Sequence, residues 1–544
     1  MCLKWHKEII GNSDNTIKEA NKLSKIILQD SRIKALAENP LLLTTLLFVK
    51  RWAGYLPTKR SVLYQEMIKL LLVTWNVEGH EILDIEEAEP QLAFVAYWMT
   101  QNGQQTISAE ELNNCLVNAR KQMPEILGYT NINPSEFIKR VESRSSLLIM
   151  SGHKRLESGF LSVIYEFLHL SFQEYLTAKA IVKGYIPRSD TGNIIDIIKP
   201  NINNENWKEV IPLVAVLLER DVKELIEFLI SETKQIALDK KRNAIHTECL
   251  APNLLGNCLA NEIQVNPELL AIAIEWYAKN AYFVHDKHAT EIILKNKFGN
   301  IFRNKTKELF FIEYDDKYIF ELGSTLADVF NFDFSNSGSY ISILEKIVSE
   351  LEEESKERKC IAILGTMDFI FNYTIRKELN HIESLCLKKI FDSMYCLLNT
   401  NDPHFLFAIS WCIAWAGERN IFPDSQLEKY LPILSKIWSS RNEKSLLRAT
   451  SWAISKIITP DFPKEYLINN VPDIRESTKR KYNNPENEFD KITAVYLGTI
   501  LGEEYNKEEL KELFNIKRIR PSNKSKMLFA KKLHINISEK PFIE

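Results

Sequence analysis

The stretch "YEFLHLSFQEYLTAKAI", residues 165–181, passes from an apolar run of alternating character into helical spacing, with His169 at the change. Phe172, Tyr175, Leu176 and Ala180 recur at helical intervals. Just upstream, "SSLLIMSGHKRLESGFLSVIYEFLHL" (145–170) holds two short apolar runs around a polar stretch with Gly152 and Gly159, the pattern of a β-hairpin. His169 therefore falls at a strand-to-helix corner. Two roles fit a histidine there: a core side chain satisfied by backbone groups, or a polar group held at the rim of a ligand site.

Outward from this corner the periodicity is helical. In "ENPLLLTTLLFVKRWAG" (38–54), Asn39 is placed to cap a helix, Pro40 takes the first helical position and Gly54 ends it. In "PTKRSVLYQEMIKLLLVTW" (57–75), Thr58 is placed as the cap, and Leu63, Met67, Leu70, Leu71 and Trp75 share one face. Beyond residue 190 helical segments follow one another. "AISWCIAWAGE" (408–418) aligns with "ATSWAISKIIT" (449–459), Trp411 over Trp452, at an offset within the period of HEAT-type helical pairs. Such an array offers a continuous surface to a partner rather than a deep pocket. "SELEEESKERK" (349–359) and "PDIRESTKRKYNNPENEFDK" (472–491) read as solvated loops or helix ends.

Composition narrows the class. With 544 residues the chain exceeds what one core supports, and 45% hydrophobic with 26% charged residues is ordinary for globular domains. A formal charge of -3 gives no general pull toward nucleic acid or membranes. Eight cysteines lack any C-x-x-C pair, which predicts reduced, buried thiols in a cytoplasmic protein. No uncharged run long enough to span a bilayer occurs, so no membrane partner is predicted.

Catalytic signatures are missing. None of the 17 glycines precedes a lysine and no G-x-G exists, which removes the phosphate-cradling loop and the dinucleotide fingerprint. Neither G-x-S-x-G nor H-E-x-x-H occurs. "HDKH" puts His285 and His288 on one helical face without a third ligand, and Glu476 with Lys479 has the wrong spacing for a nuclease set. No catalytic or metal-binding residue is assigned. From Lys517 onward eight Lys or Arg face only Glu539 and Glu544; a solvated tail is the simpler reading, nucleic-acid phosphates the alternative.

Two stretches taken together resemble a family. "ENPLLLTTLLFVKRWAGYLPTKRSVLYQEMIKLLLVTWN" (38–76) resembles the segment that follows the nucleotide-binding core of NACHT proteins, the STAND-type regulatory NTPases. "YEFLHLSFQEYLTAKAI" resembles that family's winged-helix signature, a strand ending in Phe-x-His followed by a Gln-Glu-Tyr helix. The resemblance covers roughly residues 1–185. It implies that His169 reaches the terminal phosphate of ADP in the resting state and that Pro40 packs near the adenine. Chemistry agrees for His169, since an imidazole N–H donates to phosphate oxygen. For Pro40, a helix start needs no ligand to explain a proline.

The family's phosphate loop and acidic strand precede the part matched here, so the resemblance implies a chain that begins after the catalytic core. Such a chain alone hydrolyses no nucleotide, and ATP or ADP with Mg would bind only if an upstream core is supplied. The expected fold is mainly α: the end of a helical lid (1–38), a winged-helix domain with a small β-hairpin (39–185), a helical connector (186–300) and a HEAT-like sensor array with a basic tail (301–544). By resemblance the whole is a cytoplasmic nucleotide-gated switch of bacterial anti-phage defence. Its array senses a protein or phage-derived ligand, and activation leads to self-oligomerisation. The alternative is a stand-alone helical-repeat scaffold that binds protein or nucleic acid.

Overall fold

The computed structural model describes residues 2–29, 33–34, 37, 40–74, 83–145, 147–155, 161–190, 192–238, 250–280, 287–313, 316–334, 340–373, 380–419, 421, 428–514 and 524–535. The described residues are mainly helical, with one small antiparallel sheet. They fall into two compact units: Met1–Asn280 with Val284–Phe302, and Arg303–Glu544 with Ala281–Phe283.

The first unit begins with α1 (Cys2–Ile9), α2 (Asp14–Gln29) and α3 (Pro40–Ala53). α2 buries Thr16, Ala20, Leu23 and Ile27, one stripe at helical spacing. α3 starts at Pro40 and ends at Gly54, whose φ of 82° is the left-handed geometry a residue without Cβ adopts readily. Asn39 lies outside the described residues. α4 (Arg60–Lys69) starts later than a Thr58 cap predicts: its N-cap is Lys59, which makes no side-chain bond. Leu63, Met67 and Leu71 of the predicted face are buried, while Trp75 lies outside the described residues. A π-helical turn over Leu70–Thr74 follows. Arg144, buried completely, donates Nε to the Leu72 carbonyl at 3.0 Å and Nη2 to that of Val73 at 2.8 Å. A guanidinium distant in sequence thus satisfies carbonyls in this irregular turn.

Next come α5 (Ile85–Gln101), β1 (Thr106–Ser108), α6 (Ala109–Gln122), α7 (Pro134–Ser145), β2 (Leu148–Arg155), β3 (Leu161–Phe167) and α8 (Leu170–Lys183). The sheet order is β1-β3-β2, antiparallel, with Ile107 and Met150 both opposite Tyr165. The predicted hairpin is β2–β3, with a register shift between Met150 and Gly152; Gly159 lies outside the described residues. β1 was not expected, because three residues carry no readable alternation. Ser108 ends β1 and caps α6, its Oγ accepting from the Glu111 amide while the Glu111 carboxylate accepts from the Ser108 amide.

α8 packs on α5 and on α9 (Val210–Leu217). From there helices alternate: α9, α11 (Ala251–Ala260) and α13 (Lys287–Lys295) pack in succession, and α10 (Lys223–Leu238) and α12 (Pro267–Ala278) pack on each other and on α11. Gly256 of α11 lies so close to the Tyr277 ring that a Cβ there would clash.

The second unit repeats this plan in two layers. One layer stacks α14 (Ile319–Phe334), α16 (Lys356–Tyr373), α18 (Pro403–Glu418), α20 (Lys444–Ile457) and α22 (Glu488–Leu501) in order. The other holds α15 (Tyr340–Glu352), α17 (His381–Leu397), α19 (Leu431–Ser440) and α21 (Ile474–Asn483). Phe371, Trp415, Trp452 and Phe489 form a ring-to-ring ladder across α16, α18, α20 and α22, with centroids 4.6, 5.1 and 5.6 Å apart. Trp411 and Trp452 do sit on adjacent helices, but the ring beside Trp452 is Trp415; Trp411 packs on Phe320 and Phe407.

Two expectations are corrected. The stretch 472–491, expected as solvated loop or helix ends, contains a whole helix, α21, which buries Ile474, Ser477, Thr478 and Lys481. The basic stretch is not simply a solvated tail either. Lys524–Lys532 forms a helix, α23, with Lys526 only 1% exposed; Lys517, Arg518, Arg520 and Lys540 lie outside the described residues.

Candidate functional site

His169 is exposed, so the core reading fails. It is the N-cap of α8, in extended conformation, and its Nδ1 accepts from the Ser171 amide at 3.2 Å. The Ser171 hydroxyl also lies 2.6 Å from Nδ1. A ring nitrogen that accepts an amide N–H carries no proton, so the neutral imidazole has its proton on Nε2. Nε2 makes no hydrogen bond among the described residues, and it is an outward-available donor. On either side Leu168 and Leu170 are each 40% exposed, an apolar rim around that donor.

The corner is rigid below this surface. The Leu168 amide bonds the Leu147 carbonyl, tying the end of β3 to the start of β2. Within "FQEY", Phe172 and Tyr175 are fully buried against Tyr64 of α4. Gln173 Nε2 donates to Thr100 Oγ1 and to the Gln104 carbonyl, pinning α8 to the end of α5. At the far end Gly184, with φ of 71°, closes α8 and lets the Tyr185 amide reach the Ala180 carbonyl. Phe172, Gln173 and Tyr175 therefore hold the helix behind His169 in place.

Glu174 stands in a charged cluster between α4, α8 and the start of α9. Arg60 Nη1 pairs with Glu209 at 2.6 Å and its Nε donates to the Tyr64 hydroxyl. Burial, with Glu209 as a second carboxylate, raises the Glu174 pKa to about 7, Arg60 opposing. Close by, Lys179 and Glu89 pair at 2.6 Å with both side chains nearly buried. In the sequence Glu174 stands out only as one residue of the stretch 165–181. Its partners Arg60 and Glu209 lie on other helices, and no local pattern links them.

Pro40 is exposed at the first position of α3, where its carbonyl accepts from Thr44 Oγ1 at 2.9 Å. Pro40 and His169 stand on separate helices, with no direct bond between them. His288 is exposed on α13; His285 and Asp286 lie outside the described residues. Among the described residues no group of three or more His, Cys, Asp or Glu is placed to hold a metal ion, and no helix is long and apolar enough to cross a membrane. The described cysteines are free thiols; Cys396 is exposed and Cys386 half-buried, the others buried.

No protein-family model matches the chain, and no curated protein matches it.

Proposed function

We propose that this chain is the regulatory and sensor portion of a NACHT-type nucleotide-gated switch, with His169 as the donor that holds the terminal phosphate of ADP in the resting state. The observation that carries this reading is the His169 corner: Nδ1 is occupied by the α8 cap, which leaves the Nε2 proton as a fixed, exposed donor on a rigid base. Two features support the surroundings. The order α5, β1, α6, α7, β2, β3 is compatible with a winged helix, and the two-layer stacking of the second unit is compatible with HEAT-like repeats. In this reading α1 and α2 belong to the helical lid, Pro40 stands near the adenine, and the array senses a protein or phage-derived ligand. Activation leads to self-oligomerisation, in bacterial defence. ATP or ADP with Mg is held by an upstream core, and ligand opens the switch through its differential affinity for two states.

The test separates the donor from the cap. Serine caps helices as well as any residue but has no second ring nitrogen. In the protein joined to its nucleotide-binding core, His169→Ser is expected to leave the thermal midpoint unchanged and to release bound ADP at least tenfold faster, read by stopped-flow with a fluorescent ADP. Unchanged ADP release would sink the phosphate role and leave His169 a cap alone. The scaffold alternative, with nucleic acid on the basic stretch, predicts binding that weakens steeply with salt. The burial of Lys526 takes one of those charges out of reach.

A further inference from the structure

The strand β2 (Leu148–Arg155) lies at an edge: in the order β1-β3-β2 it has β3 on one side and, among the described residues, no strand on the other. Along a strand the backbone N–H and C=O groups point to alternate sides, so about half of those in β2 point away from β3. Among the described residues no backbone hydrogen bond made outside the sheet ends on residues 148–155. The strand is also open to solvent: Met150 is 49% exposed, and Ser151, His153, Lys154 and Arg155 are exposed. Such an edge is a template for a further strand.

Charge decides which strand fits. Residues 148–155 carry Lys154 and Arg155 and no carboxylate, and neither cation makes an ion pair among the described residues. The Glu111 carboxylate of α6, whose pKa is lowered first by its Ser108 bonds and only lastly by Lys154, is committed to that cap. Successive side chains alternate in face, so Lys154, opposite Ser162, and Arg155, opposite Leu161, stand on the two faces of the sheet. A second copy of this chain would bring four cations and no carboxylate into one ribbon, which like-charge repulsion opposes. A strand with two consecutive acidic residues would instead meet one cation on each face. The register shift after Met150 breaks the ladder there, so Gly152–Arg155 is the run that such a strand extends.

We propose that the outer edge of β2 is a docking site for an extended acidic segment of a partner protein, which adds as a fourth strand, pairs its backbone with Gly152–Arg155 and sets adjacent carboxylates against Lys154 and Arg155. The main-chain bonds supply the fit, and the two cations select the partner. This inference rests on the sheet alone and is independent of the nucleotide reading.

Fluorescence anisotropy on the full chain tests it, with the labelled peptide Thr-Val-Thr-Glu-Glu-Val-Thr-Val as probe. This acidic probe is expected to bind, and a counterpart with Lys-Lys at its centre to bind at least tenfold more weakly. The double substitution Lys154→Glu with Arg155→Glu, at two exposed positions, is expected to exchange the preference: the acidic probe weakens at least tenfold and the Lys-Lys probe gains at least tenfold. An acidic probe methylated on every backbone nitrogen keeps its charge and loses its donors, and is expected to bind at least tenfold more weakly than the parent probe. Failure of the acidic probe to bind, equal binding by the double variant, or equal binding of the methylated probe overturns the proposal, the last by leaving a charge contact without strand pairing. A dimer of the parent chain in sedimentation that the acidic probe dissociates would overturn it by giving the edge to a second copy. Displacement of the probe by single-stranded RNA at equal concentration would overturn it in favour of nucleic acid.

Discussion

Replacing Asp490 by alanine is expected to destabilise the second unit by about 3–5 kcal/mol, the cost of leaving a buried charge without its partner. Asp490 is fully buried on α22. One oxygen accepts from the Trp438 indole at 2.7 Å, and the other lies 3.6 Å from the Lys481 ammonium and accepts from the Glu486 amide at 3.3 Å. Lys481 is itself almost fully buried, its ammonium 5.0 Å from the centre of the Trp438 ring. Burial lowers the Lys481 pKa even with Asp490 beside it. Without Asp490 the ammonium and the indole N–H both lose their acceptor, and α19, α21 and α22 lose the group that joins them. Urea unfolding of the second unit's transition reads the loss. Lys481→Met in the Asp490→Ala background is expected to recover at least 1 kcal/mol, since the stranded charge goes with it. Equal stability of the single variant and the parent would show that the network is incidental.

The second large effect is a gain. Glu174 has a pKa raised to about 7 by burial and Glu209, above the usual carboxylate value. A group that binds its proton more tightly when folded stabilises the fold at low pH. For Glu174 that contribution is complete below about pH 4.5 and is lost as pH rises through about 7. At pH 8 the ionised carboxylate therefore carries its full penalty. Glu174→Gln keeps the shape and removes the charge, so it is expected to raise stability at pH 8 by about 1–3 kcal/mol, discounting the shift for partial solvent access. At pH 4.5 the two proteins should be equal within error. Denaturant unfolding across this range checks both statements, and a pH-independent difference would contradict the assignment of the shift to Glu174. The same cluster joins α4 and α8 to the start of α9, so its protonation state bears on how firmly those elements are held.

Local patterns carried much of the architecture. The α3 boundaries follow from Pro40 and Gly54, the hairpin from its two apolar runs, and the α8 stripe from Phe172, Tyr175, Leu176 and Ala180, because each of these depends on neighbours within one or two turns. What was not legible depends on distant partners. The π-turn at Leu70–Thr74 is bound by Arg144, β1 exists only because β3 offers it an edge, and α21 looks like a charged loop until the helices beside it bury Ile474, Thr478 and Lys481. The site divides the same way. His169 was legible as a corner residue, whereas its capping bond through Nδ1, and hence the position of its proton, required the Ser171 amide in three dimensions. Glu174, Arg60 and Glu209 form a cluster that no spacing rule joins.

The most direct test of the switch reading is to sequence the genomic DNA upstream of Met1 and translate it in frame. The account predicts an in-frame G-x-x-x-x-G-K-[ST] loop followed by an acidic strand, which would supply the phosphate site that the His169 donor is proposed to complete. A stop codon with no such loop in the adjoining reading frames would contradict it and leave the helical layers as a stand-alone scaffold.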